Sequence, residues 1–235
     1  MVRKPDYGLA WAGSDVVGSL TCMRGMNETG VAVAPQGAET PWLEVKGSCY
    51  TGMHARLVLE QVAAGPDMVS QIVQVFEAHP RCGSSVFLFA QGSPTWSDSS
   101  PDQMAVAIEH DYSGVTARLP SHNALHGNPL TEAIVATNHF LQRKAPASSS
   151  VLGESDRRYN AMVAVLQERV ISDVPDMQEV LIACDPAGIG KQSVYMEPDA
   201  RVICVAFRPS ADAPASPHHT PVSFTWDELF APIKD

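Results

Sequence analysis

The chain alternates between stretches whose apolar residues recur at helical spacing and shorter runs that read as strands. Ala55, Val58, Leu59 and Val62 form one stripe at i, i+3, i+4, i+7, and Val69, Ile72, Val73 and Phe76 form a second. Tyr159, Met162, Val163 and Leu166 make a third, and Met177, Val180, Leu181 and Cys184 a fourth. Each predicts a helix with one face turned to a core. Gly65-Pro66-Asp67 separates the first two and offers Asp67 as an N-cap; Ser155 precedes the third, and Asp173 or Asp176 the fourth. The helices therefore come as two consecutive pairs.

Strand patterns fill the remainder. Val31-Ala32-Val33-Ala34 and Val86-Phe87-Leu88-Phe89-Ala90 are short, apolar runs. Residues 104–109 and 114–119 bracket a turn at His110-Asp111-Tyr112-Ser113 and predict a hairpin. Residues 193–196 and 202–207 predict another, joined by Glu197-Pro198-Asp199-Ala200-Arg201. Hairpins fit poorly with a purely parallel β-α-β sheet. They predict an α+β protein: two antiparallel sheets face to face, with a helix pair on each outer side. Residues 92–102, 145–153 and 210–221 read as surface loops. Thr225 and Glu228 form a capping-box pattern that starts a short helix. With no internal repeat and no strong linker, residues 1–235 are expected to form one domain.

Composition narrows the function. A hydrophobic content of 45% with 18% charged residues describes an ordinary folded core. The net charge of −10 argues against nucleic acid and against anionic membrane surfaces. No apolar run approaches the roughly 20 residues of a spanning helix, and Met1 to Asp6 does not lead into a signal core. The chain is expected to be soluble and cytoplasmic. Its cysteines, Cys22, Cys49, Cys82, Cys184 and Cys204, are odd in number and form no C-x-x-C pair, so they read as buried thiols.

Candidate chemistry rests on two asparagines, Asn27 in Gly25-Met26-Asn27-Glu28-Thr29-Gly30 and Asn138 in Ala136-Thr137-Asn138-His139-Phe140. An asparagine amide is an uncharged donor and acceptor suited to holding an oxyanion. Taken alone, the first motif fits a tight turn better, and Asn138 equally fits a strand-end cap. His122 and His126 stand at i, i+4, but nothing supplies a third zinc ligand; no metal and no cofactor is expected. Gly188-Ile189-Gly190-Lys191 fails as a phosphate loop, because Asp185 and Gln192 occupy its defining positions.

Together the motifs carry a resemblance. Gly25-Met26-Asn27-Glu28-x-Gly30 and the following His54-to-Glu60 segment resemble N-terminal-nucleophile hydrolases related to choloylglycine hydrolase. Thr137-Asn138-His139-Phe140, Ser155-Asp156-Arg157-Arg158-Tyr159 and Gln192-to-Met196 resemble, in order, the isopenicillin N acyltransferase-like branch. The resemblance implies a four-layer α-β-β-α sandwich. It also implies an N-terminal cysteine, freed by self-cleavage, that attacks a linear amide and uses its own α-amino group as base. Carried over, Asn27 and Asn138 become oxyanion donors and Arg158 an orienting arginine, with Arg157 one position away as the alternative. The partner implied is a small-molecule amide or acyl donor.

The resemblance places the nucleophile on a first strand well upstream of Gly25. Among the 26 residues before Asn27 the one cysteine is Cys22, read as a buried thiol of the strand that carries Asn27. No aspartate-bearing second strand is recognised. The sequence is therefore expected to represent the C-terminal two-thirds of the fold, with a second copy or a partner chain able to complete the sheet. The rival expectation is an inactive ligand-binding or interaction module on the same fold.

Overall fold

A computed structural model describes residues 1–15, 19–38, 48–92, 99–143, 149–185, 188 and 190–231. In chain order its elements are β1 (Val2–Arg3), β2 (Trp11–Ser14), β3 (Arg24–Asn27), β4 (Ala32–Gly37), α1 (Thr51–Gln61), α2 (Met68–Ala78), β5 (Ser85–Ala90), α3 (Pro101–Met104), β6 (Ala105–Asp111) and β7 (Gly114–Arg118). A 3-10 turn over Pro120–His126 follows, then α4 (Ser149–Glu168), α5 (Val174–Cys184), β8 (Gln192–Glu197), β9 (Val202–Phe207), β10 (Val222–Thr225) and α6 (Trp226–Phe230). The first seven strands form one antiparallel sheet in sequence order, and the last three a second in the order β10-β9-β8.

Strand alternation assigns the two faces of the large sheet. One face carries Trp11, Val33, Phe87, Phe89, Val106 and Ile108, which pack under Val58 and Leu59 of α1 and Ile72 and Phe76 of α2. The register agrees, pairing Val33 with Phe89 and Phe87 with Ile108. The opposite face carries Ala12, Met26 and Ala32, which meet Val194, Met196, Ile203 and Val205 of the small sheet. Farther along that face, Val86 and Ala107 are covered by Ile134, Ala136 and Phe140 rather than by a strand. The other side of this segment, at Val135 and Leu141, lies under Tyr159 and Val163 of α4. The order of layers is helix pair, seven-stranded sheet, three-stranded sheet continued by residues 134–141, and helix pair. The sandwich read from the sequence is the architecture found.

Several local expectations need correction. Helix α4 starts at Ser149, so Ser155 lies inside it, fully buried, instead of capping it. Its hydroxyl is held by Thr137 and His139, a tertiary role that a cap pattern cannot distinguish. The expected loop over 145–153 is correspondingly helical from Ser149; residues 144–148 lie outside the described set. Within the expected loop 92–102, α3 forms on a Ser100–Gln103 capping box, and residues 93–98 are not described. Cys22 precedes β3 rather than belonging to it. Upstream of the motif, β2 runs Trp11–Ser14 and Asp15 follows it outside the strand. Asp173 is the N-cap of α5, its carboxylate accepting from the Asp176 amide at 2.9 Å. The Thr225–Glu228 box caps α6 as expected. Among the described residues no helix is long and apolar enough to cross a membrane.

Candidate active site

The structure separates the two asparagines. Asn27 ends β3 on the face turned to α1, in register with Trp11. It has no exposed surface. Both hydrogens of its amide nitrogen are used, donated to the carbonyls of Leu59 at 3.1 Å and Val62 at 2.8 Å. Its Oδ1 accepts from the Val31 amide at 3.0 Å and from the amide and hydroxyl of Thr29 at 3.1 and 2.8 Å. The amide therefore ties the β3–β4 turn to the end of α1. The oxyanion role drawn from the resemblance does not fit Asn27, because no donor is free and no substrate can reach it. The motif's glycines fit the same structural task. Gly30 has φ +90, which favours glycine, and a side chain on Gly25 would collide with the Ala12 carbonyl.

Asn138 and Arg158 are brought together. The second-layer segment between β7 and α4 presents Asn138, and the first half of α4 presents Arg158. Nη2 of Arg158 donates to Oδ1 of Asn138 at 2.7 Å. Nδ2 of Asn138 donates to the carbonyl of Gly37, at the end of β4, at 2.6 Å. Three elements thus meet at one amide, and the second hydrogen on that nitrogen makes no hydrogen bond among the described residues. The arginine ambiguity is resolved by the helix turn. Arg157 points outward to an exposed ion pair with Glu154 at 2.7 Å, whereas Arg158 turns inward to Asn138.

Arg158 also lines a cleft of 460 Å³ together with Glu154, Cys184, Asp185, Gln192 and Ser193. Gln192, at the start of β8, donates its side-chain amide to the Ser14 hydroxyl at the end of β2, bridging the two sheets. It also lines a second cleft, of 440 Å³, between the sheets, where Ile203, Val205 and Phe224 give an apolar wall. The two cavities adjoin at this side chain.

Neither Cys22 nor Cys184 is poised for attack. Cys22 is packed against the α1 side of the large sheet, and burial with the nearby Asp15 carboxylate pushes its thiol up to about 12. Cys184 is the one cysteine lining the cleft with Arg158. Its thiol donates to the Leu181 carbonyl at 3.1 Å, and burial raises its pKa against the partial pull of Arg158. A nucleophilic cysteine needs the reverse shift. Among the described residues no group of three or more His, Cys, Asp or Glu side chains could hold a metal ion.

Sequence reasoning missed the support beneath Asn138. Glu109, on β6, is fully buried and pairs with Arg118 of β7 at 3.0 Å. The same carboxylate accepts from the backbone amides of Leu141, Gln142 and Arg143 at 3.0, 2.9 and 2.7 Å. It anchors the end of the segment that carries Asn138. The available signal was parity: Glu109 and Arg118 fall on the same face of the predicted hairpin. The Gln192–Ser14 bridge, between residues far apart in sequence, had no such signal.

No family model matches the chain, and no curated protein matches it by sequence. Solved structures do match its fold. A penicillin V acylase from Agrobacterium tumefaciens aligns over 95% of this chain and 72% of its own, with TM-score 0.55 and 14% identity. A conjugated bile acid hydrolase from Clostridium perfringens aligns over 94% and 78%, with TM-score 0.52 and 9% identity. The Caenorhabditis elegans ortholog of N-acylethanolamine-hydrolyzing acid amidase aligns over 91% and 81%, with TM-score 0.51 and 15% identity. Similarity at this level establishes the shared architecture alone.

Proposed function

We propose that this protein recognises a linear amide at the Asn138–Arg158 pair, as an amidohydrolase or acyltransferase of the isopenicillin N acyltransferase-like kind. The observation that carries the reading is that pair, assembled from two elements at the edge of a cleft. Arg158 holds the amide oxygen of Asn138, so the nitrogen end is fixed with one N–H that makes no hydrogen bond among the described residues. A fixed neutral donor is what a developing oxyanion needs, since it costs no reorganisation when charge appears. The three structures cited in the preceding section are, by name, an acylase, a bile acid hydrolase and an acid amidase, and that shared chemistry supports an amide over other acyl compounds. The attacking group in this chemistry is an N-terminal cysteine thiolate activated by its own amine. Neither Cys22 nor Cys184 is suited to that role as it stands, because burial raises both thiols.

That last observation favours a second reading, an amide-binding module without turnover. One experiment separates the two. The protein is incubated with a panel of linear amides and, in parallel, with a thiol-directed electrophile; released amine, bound amide and intact mass are measured. Amine release with labelling of an N-terminal cysteine is the result expected for the enzyme. Saturable binding without release identifies the binding module. Neither binding nor release overturns both.

A further inference from the structure

Next to Asn138 lies a buried polar chain that the reading above does not use. Nδ1 of His139 is 2.7 Å from the Ser155 hydroxyl and 3.1 Å from the Thr137 hydroxyl. The two hydroxyls are 2.9 Å apart, and Thr137 also donates to the Ser155 carbonyl at 3.1 Å. On the other side of the ring, Nε2 lies 3.1 Å from Oδ1 of Asp156, a close ionic approach rather than an aligned hydrogen bond. Ser155, His139 and Asp156 have the composition of a hydrolytic triad, but Ser155 has no accessible surface. No carbonyl can reach it, so the array cannot act by nucleophilic attack.

Its position suggests another role. Thr137 and His139 flank Asn138, while Ser155 and Asp156 lie within one turn of Arg158 on α4. The array therefore fastens together the two elements whose side chains make the Asn138–Arg158 contact. We propose that His139 is a positioning residue: its ring clamps residues 137–139 to α4 and so sets how Asn138 meets Arg158. This proposal rests on the reading of that pair as the site.

The direction of the buried bonds depends on the ring's proton. With the imidazolium, Nδ1 donates to Ser155, Ser155 to Thr137 and Thr137 to the Ser155 carbonyl, while the charge faces Asp156. Loss of the Nδ1 proton makes that nitrogen an acceptor, so the Ser155 hydroxyl turns toward it and away from Thr137. The charged groups acting on the ring are Asp156 and Arg158 from α4, Glu109 from β6 and Arg118 from β7, and Tyr159 contributes an edge-on ring contact at 5.9 Å. Burial dominates them and holds the imidazole below the usual histidine value.

The test is nuclear magnetic resonance of the full chain across the acid-to-neutral range, following the His139 ring and the Asn138 side-chain amide. Both are expected to shift with a single midpoint below that of an ordinary histidine. Asp156→Asn, at a residue more than half exposed, removes a carboxylate that favours the imidazolium and is expected to lower both midpoints together. Ser155→Ala should leave His139 titrating while the Asn138 amide no longer follows. An Asn138 amide that stays fixed while His139 titrates, or whose midpoint Asp156→Asn leaves in place, overturns the proposal. The readout needs no turnover, so it is separable from failure of the amidohydrolase reading. If Ser155→Ala does not fold, the Asp156→Asn arm decides alone.

Discussion

Asn27 and Asn138 carry the same side chain in different settings, and the difference lies in what remains unbonded among the described residues. Every polar atom of the Asn27 amide is engaged within the protein. Replacing it by alanine strands the Leu59 and Val62 carbonyls and the Val31 amide in a buried site, at about 1–3 kcal/mol for each group left unpaired. Asn27→Ala is therefore expected to lose at least about 2 kcal/mol of stability, read from the urea midpoint at constant m-value. Unchanged stability with lost turnover would restore Asn27 to the oxyanion site. The sequence made both asparagines visible but not this distinction, because satisfaction of a donor depends on partners such as Leu59, distant in the chain. His110 was likewise invisible as a strained group. It is fully buried between Phe76 and Phe87, with no hydrogen-bond partner for either ring nitrogen among the described residues. Burial lowers its pKa from 6.5 to about 3, with the neighbouring His54 adding to the effect. Between those values the unfolded chain binds the proton and the folded one does not. Stability thus rises with pH through this window and is lost as pH falls from 6.5 towards 3. His110→Phe keeps a ring in the stack and removes the titration. It is expected to flatten the acid limb by up to about 1.4 kcal/mol per pH unit. An equally steep acid limb in the variant would contradict this account.

At the scale of elements, what could be read from local pattern was read and what needed distant contacts was not. The two hairpins and four helices were legible because their periodicities and turn residues act within a few positions. The short strands β1 and β2 were not, since Trp11-Ala12-Gly13-Ser14 alternates weakly and owes its conformation to pairing with β3. The start of α4 was misplaced for a related reason: serine- and alanine-rich residues read as loop, yet the helix extends upstream of Ser155. Glycine placement offers a direct check on the β2–β3 pairing. A Cβ on Gly25 would lie 2.6 Å from the Ala12 carbonyl and 2.8 Å from the Cys22 sulfur, whereas nothing lies within 4 Å of one on Gly65. Gly25→Ala should therefore lower the melting temperature by several degrees, about 1 kcal/mol or more of overpacking. Gly65→Ala should leave it nearly unchanged. Equal effects in a thermal scan would contradict the close approach of these strands.

At the scale of the molecule, the four layers explain how Asn138 and Arg158 meet. Where the three-stranded sheet ends, residues 134–141 take its place between the large sheet and α4. The irregular segment can present an asparagine where a regular strand would bury it or turn it to the far side, and Glu109 fixes the end of that segment through three backbone amides. The fold class and the Asn138–Arg158 pair were legible in the sequence through ordered motifs. The buried anchors and the junction at Gln192 were not, because they join residues from separate elements. The most direct test of the amide-recognition claim is the initial rate of amine release, on the best amide of a panel, for the parent protein and for Asn138→Ala with its fold verified. The account predicts a loss of roughly 10²–10³-fold, the usual effect of removing one oxyanion donor. Release at the parent rate would contradict it.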